Sequence, residues 1–438
     1  MKPYPAYKPS GVPWLGKMPA HWESKAAKFL VTCNDDVLTE DVDPATEIVY
    51  VEIADVEEGQ GIKATTDMLF KDAPSRARRQ VKHGDIIVST VRTYLKAIAP
   101  VENPPDNLVV STGFAVLRPH GVSQGFAKYA FAESGFINTV IARSNGVSYP
   151  AINATDLVRI PIPVPPVEEQ QVIASYLDRE TARVDTLIAE KGRLIETLRE
   201  YRQATISEVV TQGLDSAAPK KPSGVPWLGG VPASWSVLRV KEVATVLPSN
   251  IDKLTVEGEQ PVSLCNYVDV YKNDKITADI EFMPATATDE QIRKLSLTKG
   301  DVVLTKDSES PWDIAVPTYI AEDIPNLACG YHLAKLAPNE YLIRGDFLCW
   351  SLKAFPVSVH FSLAASGITR YGLSIANISD GNIPVPSLTE QQAIASYLDT
   401  ETTRIDKLLA HVQDEIKLLQ ELRAATITDA VTGKIQVG

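Results

Sequence analysis

The side chains in this chain that could do covalent chemistry are poorly spaced for it. Gly433-Lys434 looks like the end of a phosphate-binding loop, but it lacks the leading glycine and the following hydroxyl of GxxxxGK[ST]. Asn103-Pro104-Pro105-Asp106 comes close to the NPP-aromatic motif of amino-methyltransferases. That chemistry stacks a flipped base on the aromatic ring, and here Asp106 stands in its place. The sequence contains no GxGxxG cofactor loop, so the segment reads as a turn. Glu415-Ile416-Lys417 imitates the end of a nuclease site but falls inside a heptad pattern, where Glu and Lys are solvated and Ile416 is core. Glu169 and Glu390, each before a Gln pair, read as helix-start residues that complement the helix dipole. Cys33, Cys265, Cys329 and Cys349 form no CxxC, and the six histidines form no HExxH. No motif supports catalysis.

The surrounding elements are more informative. The 438 residues predict about three structural units, and a hydrophobic content of 44% is enough to build cores. With 43 Lys and Arg against 55 Asp and Glu the net charge is −12, which excludes a uniformly basic coat and leaves room for local basic surfaces. No apolar run approaches membrane-spanning length and the proline-rich start resembles no signal peptide, so the expectation is a soluble cytoplasmic chain.

The chain is a tandem repeat. Ser10–Gly16 returns as Ser223–Gly229 at an offset of 213, and EEQQVIASYLDRETARVDTLI at 168–188 returns as TEQQAIASYLDTETTRIDKLL at 389–409 at an offset of 221. Between these matches the copies diverge. Faint correspondences survive, among them Gly84-Asp85 with Gly300-Asp301, Gly113-Phe114 with Gly330-Tyr331, and Ile162–Pro165 with Ile383–Pro386. The halves therefore share a frame and differ in what they present.

Residues 168–212 read as one long helix: Leu177, Val184 and Leu198 keep a seven-residue grid that Lys191 interrupts, with Ile188 and Ile195 alongside. Leu398, Ile405, Val412 and Leu419 keep the same grid unbroken, flanked by Leu409 and Ile416. About 40 helical residues span about 60 Å, and an amphipathic rod of that length needs a partner; its own copy is the obvious one. Strands are predicted at Glu47–Ile53, Asp85–Thr90, Val109–Leu117, Arg159–Val164, Asp301–Thr305 and Leu333–Leu336, with helical stretches near 124–143 and 345–365. The expected fold class is α+β: two globular domains and two long helices in an antiparallel coiled coil with pseudo-two-fold symmetry. The expected boundaries are a first domain at 1–166, a helix at 167–213, a linker and second domain at 214–387, and a helix at 388–438.

The opening Y-x-x-Y-K-x-S-G-V-x-W-L-G-x-x-P-x-H-W (Tyr4 to Trp22), its partial return at Ser223, and the twice-seen I-P-[IV]-P-x-x-x-E-Q-Q-x-I-A-x-Y-L-D resemble the specificity (S) subunit of type I restriction–modification systems. The resemblance covers essentially the whole chain. It implies two target-recognition domains, each reading half of a split double-stranded DNA site, and helices that hold two methyltransferase (M) subunits. Restriction (R) subunits would join the full complex. It also implies a non-catalytic chain with no cofactor of its own; S-adenosylmethionine, ATP and Mg²⁺ would belong to the partners. A coiled-coil adaptor with two protein-binding domains is the rival reading. Divergent loops on a preserved frame favour the DNA reader.

DNA contact calls for Lys and Arg at phosphates, and for Arg, Asn, Gln or aromatic groups at base edges. The loop after the 85–90 strand carries Arg92, Tyr94 and Lys96, and its counterpart carries Lys306, Asp307, Ser308 and Trp312. Arg143, Asn145 and Tyr149 stand opposite Thr369, Arg370 and Tyr371 around the shared Gly146 and Gly367. Ordinary exposed loops and helix-to-strand packing are the bland alternatives. Arg76, Arg78, Arg79 and Lys82 form the densest basic run and suit phosphate contact, but Arg293, Lys294 and Lys299 hold the same place in the second half, so shared architecture is an equal reading. Trp14, Trp22, Trp227 and Trp235 recur with the frame and are expected to be packing anchors.

Overall fold

The computed structural model describes residues 2–437. The chain divides into two compact units, one made of residues up to Gly192 together with those from Asp414 onwards, the other of Arg193–Gln413. Each is α+β and each contains parts of both long helices, Val167–Gln212 (46 residues) and Leu388–Val431 (44 residues).

In the first unit a four-stranded sheet is built on Ile86–Ser89, flanked by Ile98–Pro100 and Phe114–Pro119, with Val31–Cys33 outside the latter. A second sheet pairs Glu47–Val51 with Thr66–Leu69 and, in parallel, with Leu108–Ser111. The predicted strand Val109–Leu117 is thus two strands in different sheets, broken at Thr112-Gly113. The Gly113 Cα lies so near Ile53 and Val91 that a Cβ there would sit 2.8 Å from the Ile53 methyl. The second unit repeats the plan. Val302–Thr305 lies between Pro317–Ile320 and Leu333–Pro338, and Gln260–Cys265 pairs in parallel with Leu327–Cys329. Each predicted helical stretch is a pair of short helices, Gln124–Ala132 with Ser134–Ala142 and Gly345–Lys353 with Phe355–Ala364.

The heptad seam is real. Leu177, Val184 and Ile195 are buried on one helix, and Leu398, Ile405 and Val412 on the other. In the first unit Asp185 pairs with Arg423 at 2.8 Å and Lys191 with Glu415 at 2.7 Å. The partner's number falls as the residue number rises, so the helices run antiparallel. Lys191, which interrupts the grid, therefore meets an opposite charge across the seam. In the second unit Arg202 pairs with Asp406 at 3.0 Å.

The end of each long helix completes the core of one unit. Ile427, Ala430 and Val431 pack with Trp22, Phe126 and Leu177, whereas Ile206, Val209 and Val210 pack with Trp235, Phe347 and Leu398. Trp22 and Trp235 are fully enclosed anchors; Trp14 is half-buried and Trp227 more open. Among the described residues no single helix is long and apolar enough to cross a membrane.

Candidate DNA interface

The motifs shared by the two halves lie beneath the surface. Gly84 and Gly300, at φ +87° and +101°, turn the chain into the central strand, and the Asp after each is buried. Asp85 takes two hydrogen bonds from the Arg118 guanidinium at 2.8 Å, and Asp301 accepts from the Lys335 ammonium at 2.9 Å. The repeated Gly-Asp is thus a buried ion pair at the head of a strand. The repeated Gln170 and Gln391 are buried amides. Gln170 accepts from the Ser123 N–H and donates to the Pro165 carbonyl, both at 2.8 Å; Gln391 accepts from the Arg344 N–H at 2.8 Å and donates to the Pro386 carbonyl at 2.9 Å. Glu415 of the nuclease-like triplet is held by Lys191. The thiols of Cys265, Cys329 and Cys349 are buried, and burial pushes Cys329 up to about 12 and Cys349 up to about 11. They are not nucleophiles at neutral pH.

Above this shared base, each unit assembles its two divergent loops at one place. In the first, Val91 and Asn145 both bridge to Ala151, so the 91–96 loop and the 145–151 hairpin share a strand edge. In the second, Asp307 and Ser366 both pair with Gly372. The pairs 145/366 and 151/372 keep the offset of 221, and 91/307 keeps the offset of Gly84/Gly300. One three-point frame therefore carries both loop sets.

Their contents differ. In the first unit Arg92 and Lys96 occupy the left-handed backbone region at φ +51° and +52°, closing a tight turn whose Thr93 hydroxyl bonds Ser144 at 2.8 Å. The Arg92 guanidinium stacks 4.8 Å from the Tyr149 ring centre, so the two loops also meet through side chains. Tyr94 and Tyr149 are exposed, as are Arg143 and Asn145, and Arg92 and Arg143 make no ion pair among the described residues. Lys96 pairs with Glu58 at 3.0 Å.

In the second unit the equivalent loops border a cleft of about 390 Å³ lined by Tyr267, Tyr271, Asp307, Asp313, Thr369 and Arg370, among others. Asp307 receives Arg370 at 2.6 Å and His332 on its other oxygen. Tyr267 and Tyr271 stack 5.8 Å apart, and the Tyr271 hydroxyl donates to Asp313 at 2.6 Å, an interaction that pushes the phenol up to about 12. Lys306 lies 5.9 Å from the Tyr331 ring centre. Trp312 is exposed; Ser308 is buried in the strand that pairs with Tyr371, which itself leans on the core. Tyr267, Tyr271, Asp313 and His332 join this site without having been singled out. The i, i+4 spacing of the two tyrosines was the one local signal.

The basic run of the first unit does not form one open cationic face. Arg76 is held by Glu52 at 2.5 Å and by the Tyr50 hydroxyl, and Lys82 by Asp36 at 2.7 Å. Arg78 lies over Phe70. Arg79 is half-buried with one guanidinium nitrogen unpartnered, and burial lowers its pKa. These residues lie on or beside the strand Ala77–Gln80, whose alternation turns neighbours to opposite faces.

The family described as type I restriction modification DNA specificity domain matches residues 46–197. Two Methanocaldococcus jannaschii proteins are similar: the type I restriction enzyme MjaVIII specificity subunit, 25% identical over 68% of this chain and 67% of its own, and a putative type I restriction enzyme MjaX specificity subunit, 22% identical over 97% and 96%. The EcoBI specificity subunit of Escherichia coli is 21% identical over 69% of this chain and 64% of its own. Among solved structures, a chain from a study of complex assembly and conformational transition of the type I R-M system superposes with a TM-score of 0.74 at 21% identity, covering 95% of this chain and 99% of that one. An HsdS subunit from Thermoanaerobacter tengcongensis gives 0.52 at 22% identity, covering 95% and 98%. A specificity-domain match over residues 46–197, two relatives matched over two thirds or more of both lengths and a shared full-length fold make this chain similar to the specificity subunits of type I restriction–modification systems.

Proposed function

We propose that the chain is the DNA-reading, non-catalytic subunit of a type I restriction–modification complex, with each unit reading one half of a bipartite double-stranded site. The observation that carries this is the duplicated three-point frame, 91/145/151 and 307/366/372, which holds two different sets of cations, aromatic rings and carboxylates. A frame kept constant while its polar content changes is what two readers of different sequences require. An adaptor that binds the same protein twice has no use for that divergence, and the relatives reported above are all named specificity subunits.

The duplicated helices would offer equivalent surfaces to two methyltransferase subunits, and restriction subunits would join that assembly. S-adenosylmethionine, ATP and Mg²⁺ would serve those partners. The net charge of −12 and the internal pairing of Arg76, Lys82, Lys96 and Arg370 leave this chain few free cations for phosphates, so the partners would supply much of that contact.

The test is methylome sequencing of a host that expresses this chain with a methyltransferase subunit of its system. A new split motif with a fixed gap, methylated on both strands, is expected, and exchanging residues 25–160 for those of a relative should change one half-motif alone. A stable complex that adds no methylation, or the absence of any complex, would overturn the reading.

A further inference from the structure

Among the described residues, the two most exposed large apolar side chains are Val147, at 102%, and Ile368, at 93%. They occupy equivalent positions, at the offset of 221 that relates Gly146 to Gly367. Both crown the tip of the hairpin in the three-point frame. The preceding glycine has a positive φ in each unit, +117° and +151°, and a Cβ at Gly367 would collide with the Arg370 carbonyl. The following residue carries a hydroxyl in both, Ser148 and Thr369. The tip is therefore Gly, then a β-branched apolar residue, then a hydroxyl, in two loops that otherwise diverge.

Leaving a Val and an Ile fully in water gains nothing for folding. Finding them at the same point of both loops argues for a contact that both half-sites share, one that does not distinguish their sequences. The surroundings indicate the partner's chemistry. Arg143 precedes Val147 by four residues and Arg370, which also pairs with Asp307, follows Ile368 by two, so in each unit one fully exposed apolar side chain stands close in sequence to a cation, whereas a protein-docking surface presents a contiguous apolar core. A single branched apolar side chain beside cations is the arrangement of a wedge that enters a base step while the cations hold the phosphates.

We infer that Val147 and Ile368 are paired apolar wedges, one per half-site, that press into or between stacked base pairs and deform the duplex at two places. The inference rests on the DNA-reading function proposed above. A wedge of this kind deforms both half-sites in the same way and adds affinity, whatever bases the divergent loops read.

The experiment uses the complex of the full chain with its methyltransferase subunits, and duplexes carrying the methylome-defined motif. 2-Aminopurine replaces, one at a time, purines other than the methylated adenines. With the wild-type chain, fluorescence should rise at one step in each half-site. Val147→Ser should abolish the rise in the first half-site only and Ile368→Ser in the second only, each weakening binding by about tenfold while the methylated motif stays the same. Val147→Thr, which keeps the branched shape, should retain part of the signal. Both side chains are outside the core, so thermal unfolding of the variants should match the wild type.

Four outcomes would overturn the inference. An unchanged fluorescence pattern in both variants, or no responsive step with the wild type, would remove the wedge. An altered motif would make the tip a base-reading contact, and loss of the methyltransferase subunits from the complex would make it a protein-docking point. If the wild-type complex neither binds nor methylates DNA, the proposed function itself falls, and the wedge with it.

Discussion

Trp22 donates its indole N–H to Glu169 Oε2 at 2.9 Å, and Trp235 donates to Glu390 Oε2 at 3.0 Å. This one bond, made in each unit, ties the tryptophan six residues beyond the SGVPWLG segment to the first turn of a long helix about 150 residues later. It explains why the two motifs are preserved together. The carboxylates do sit where a helix dipole favours them, but their chief task is to satisfy a buried indole. The first unit adds the Tyr4 hydroxyl at 3.1 Å and the His21 ring at 2.5 Å on Glu169, and Ser234 stands where His21 would recur.

Removing that acceptor should therefore be costly. Glu169→Ala and Glu390→Ala each leave a buried indole N–H unpaired, at about 1–3 kcal/mol. Urea unfolding of each variant followed by tryptophan fluorescence measures it.

Acid should act through the same group. Burial alone would raise the Glu169 pKa, but hydrogen bonds from Trp22, His21 and Tyr4 outweigh it and hold the pKa below the usual carboxylate value. A depressed folded-state pKa contributes stability that is fully present above the unfolded value of about 4.3 and is lost as pH falls through the folded one. Wild-type stability should thus drop below about pH 4, and Glu169→Gln should flatten that part of the profile. An unchanged slope in the variant would show that other carboxylates dominate.

Gln170→Ala and Gln391→Ala should each cost about 2 kcal/mol, because the Ser123 or Arg344 amide and a proline carbonyl lose their partner in a dry site. Hydrogen exchange at the first turns of the helices Gln124–Ala132 and Gly345–Lys353 should quicken in the corresponding unit alone.

Lys191→Leu replaces a half-exposed ion pair with an apolar residue on the heptad grid. Such pairs contribute about 0–1 kcal/mol, so the variant should unfold at equal or higher urea concentration. Lys191→Glu, which faces Glu415 with a like charge, should unfold earlier.

DNA affinity should separate paired cations from free ones. In the complex, Arg92→Ala and Arg143→Ala should each weaken binding and reduce the salt slope by about one, while Lys82→Ala, already neutralised by Asp36, should change the slope little. Fluorescence anisotropy across a salt series distinguishes them.

The duplication, the two long helices, their mutual seam and the positions of the divergent loops were all legible in the chain itself. Heptad spacing and long identical segments are local patterns that register in sequence order. The pairing of Lys191 with Glu415 could not be read that way, and the interrupting lysine looked like a flaw in the grid until its partner was placed. The same holds for Asp85 with Arg118 and for Arg76 with Glu52: a basic run seems available for phosphates until folding brings carboxylates from elsewhere against it. Tyr267, Tyr271 and His332 reached the second site from strands and helices about 40 to 100 residues away from Arg370. Repetition along a chain reveals what is built twice. Which charges remain unneutralised at the surface depends on contacts between distant segments, and the fold alone establishes those.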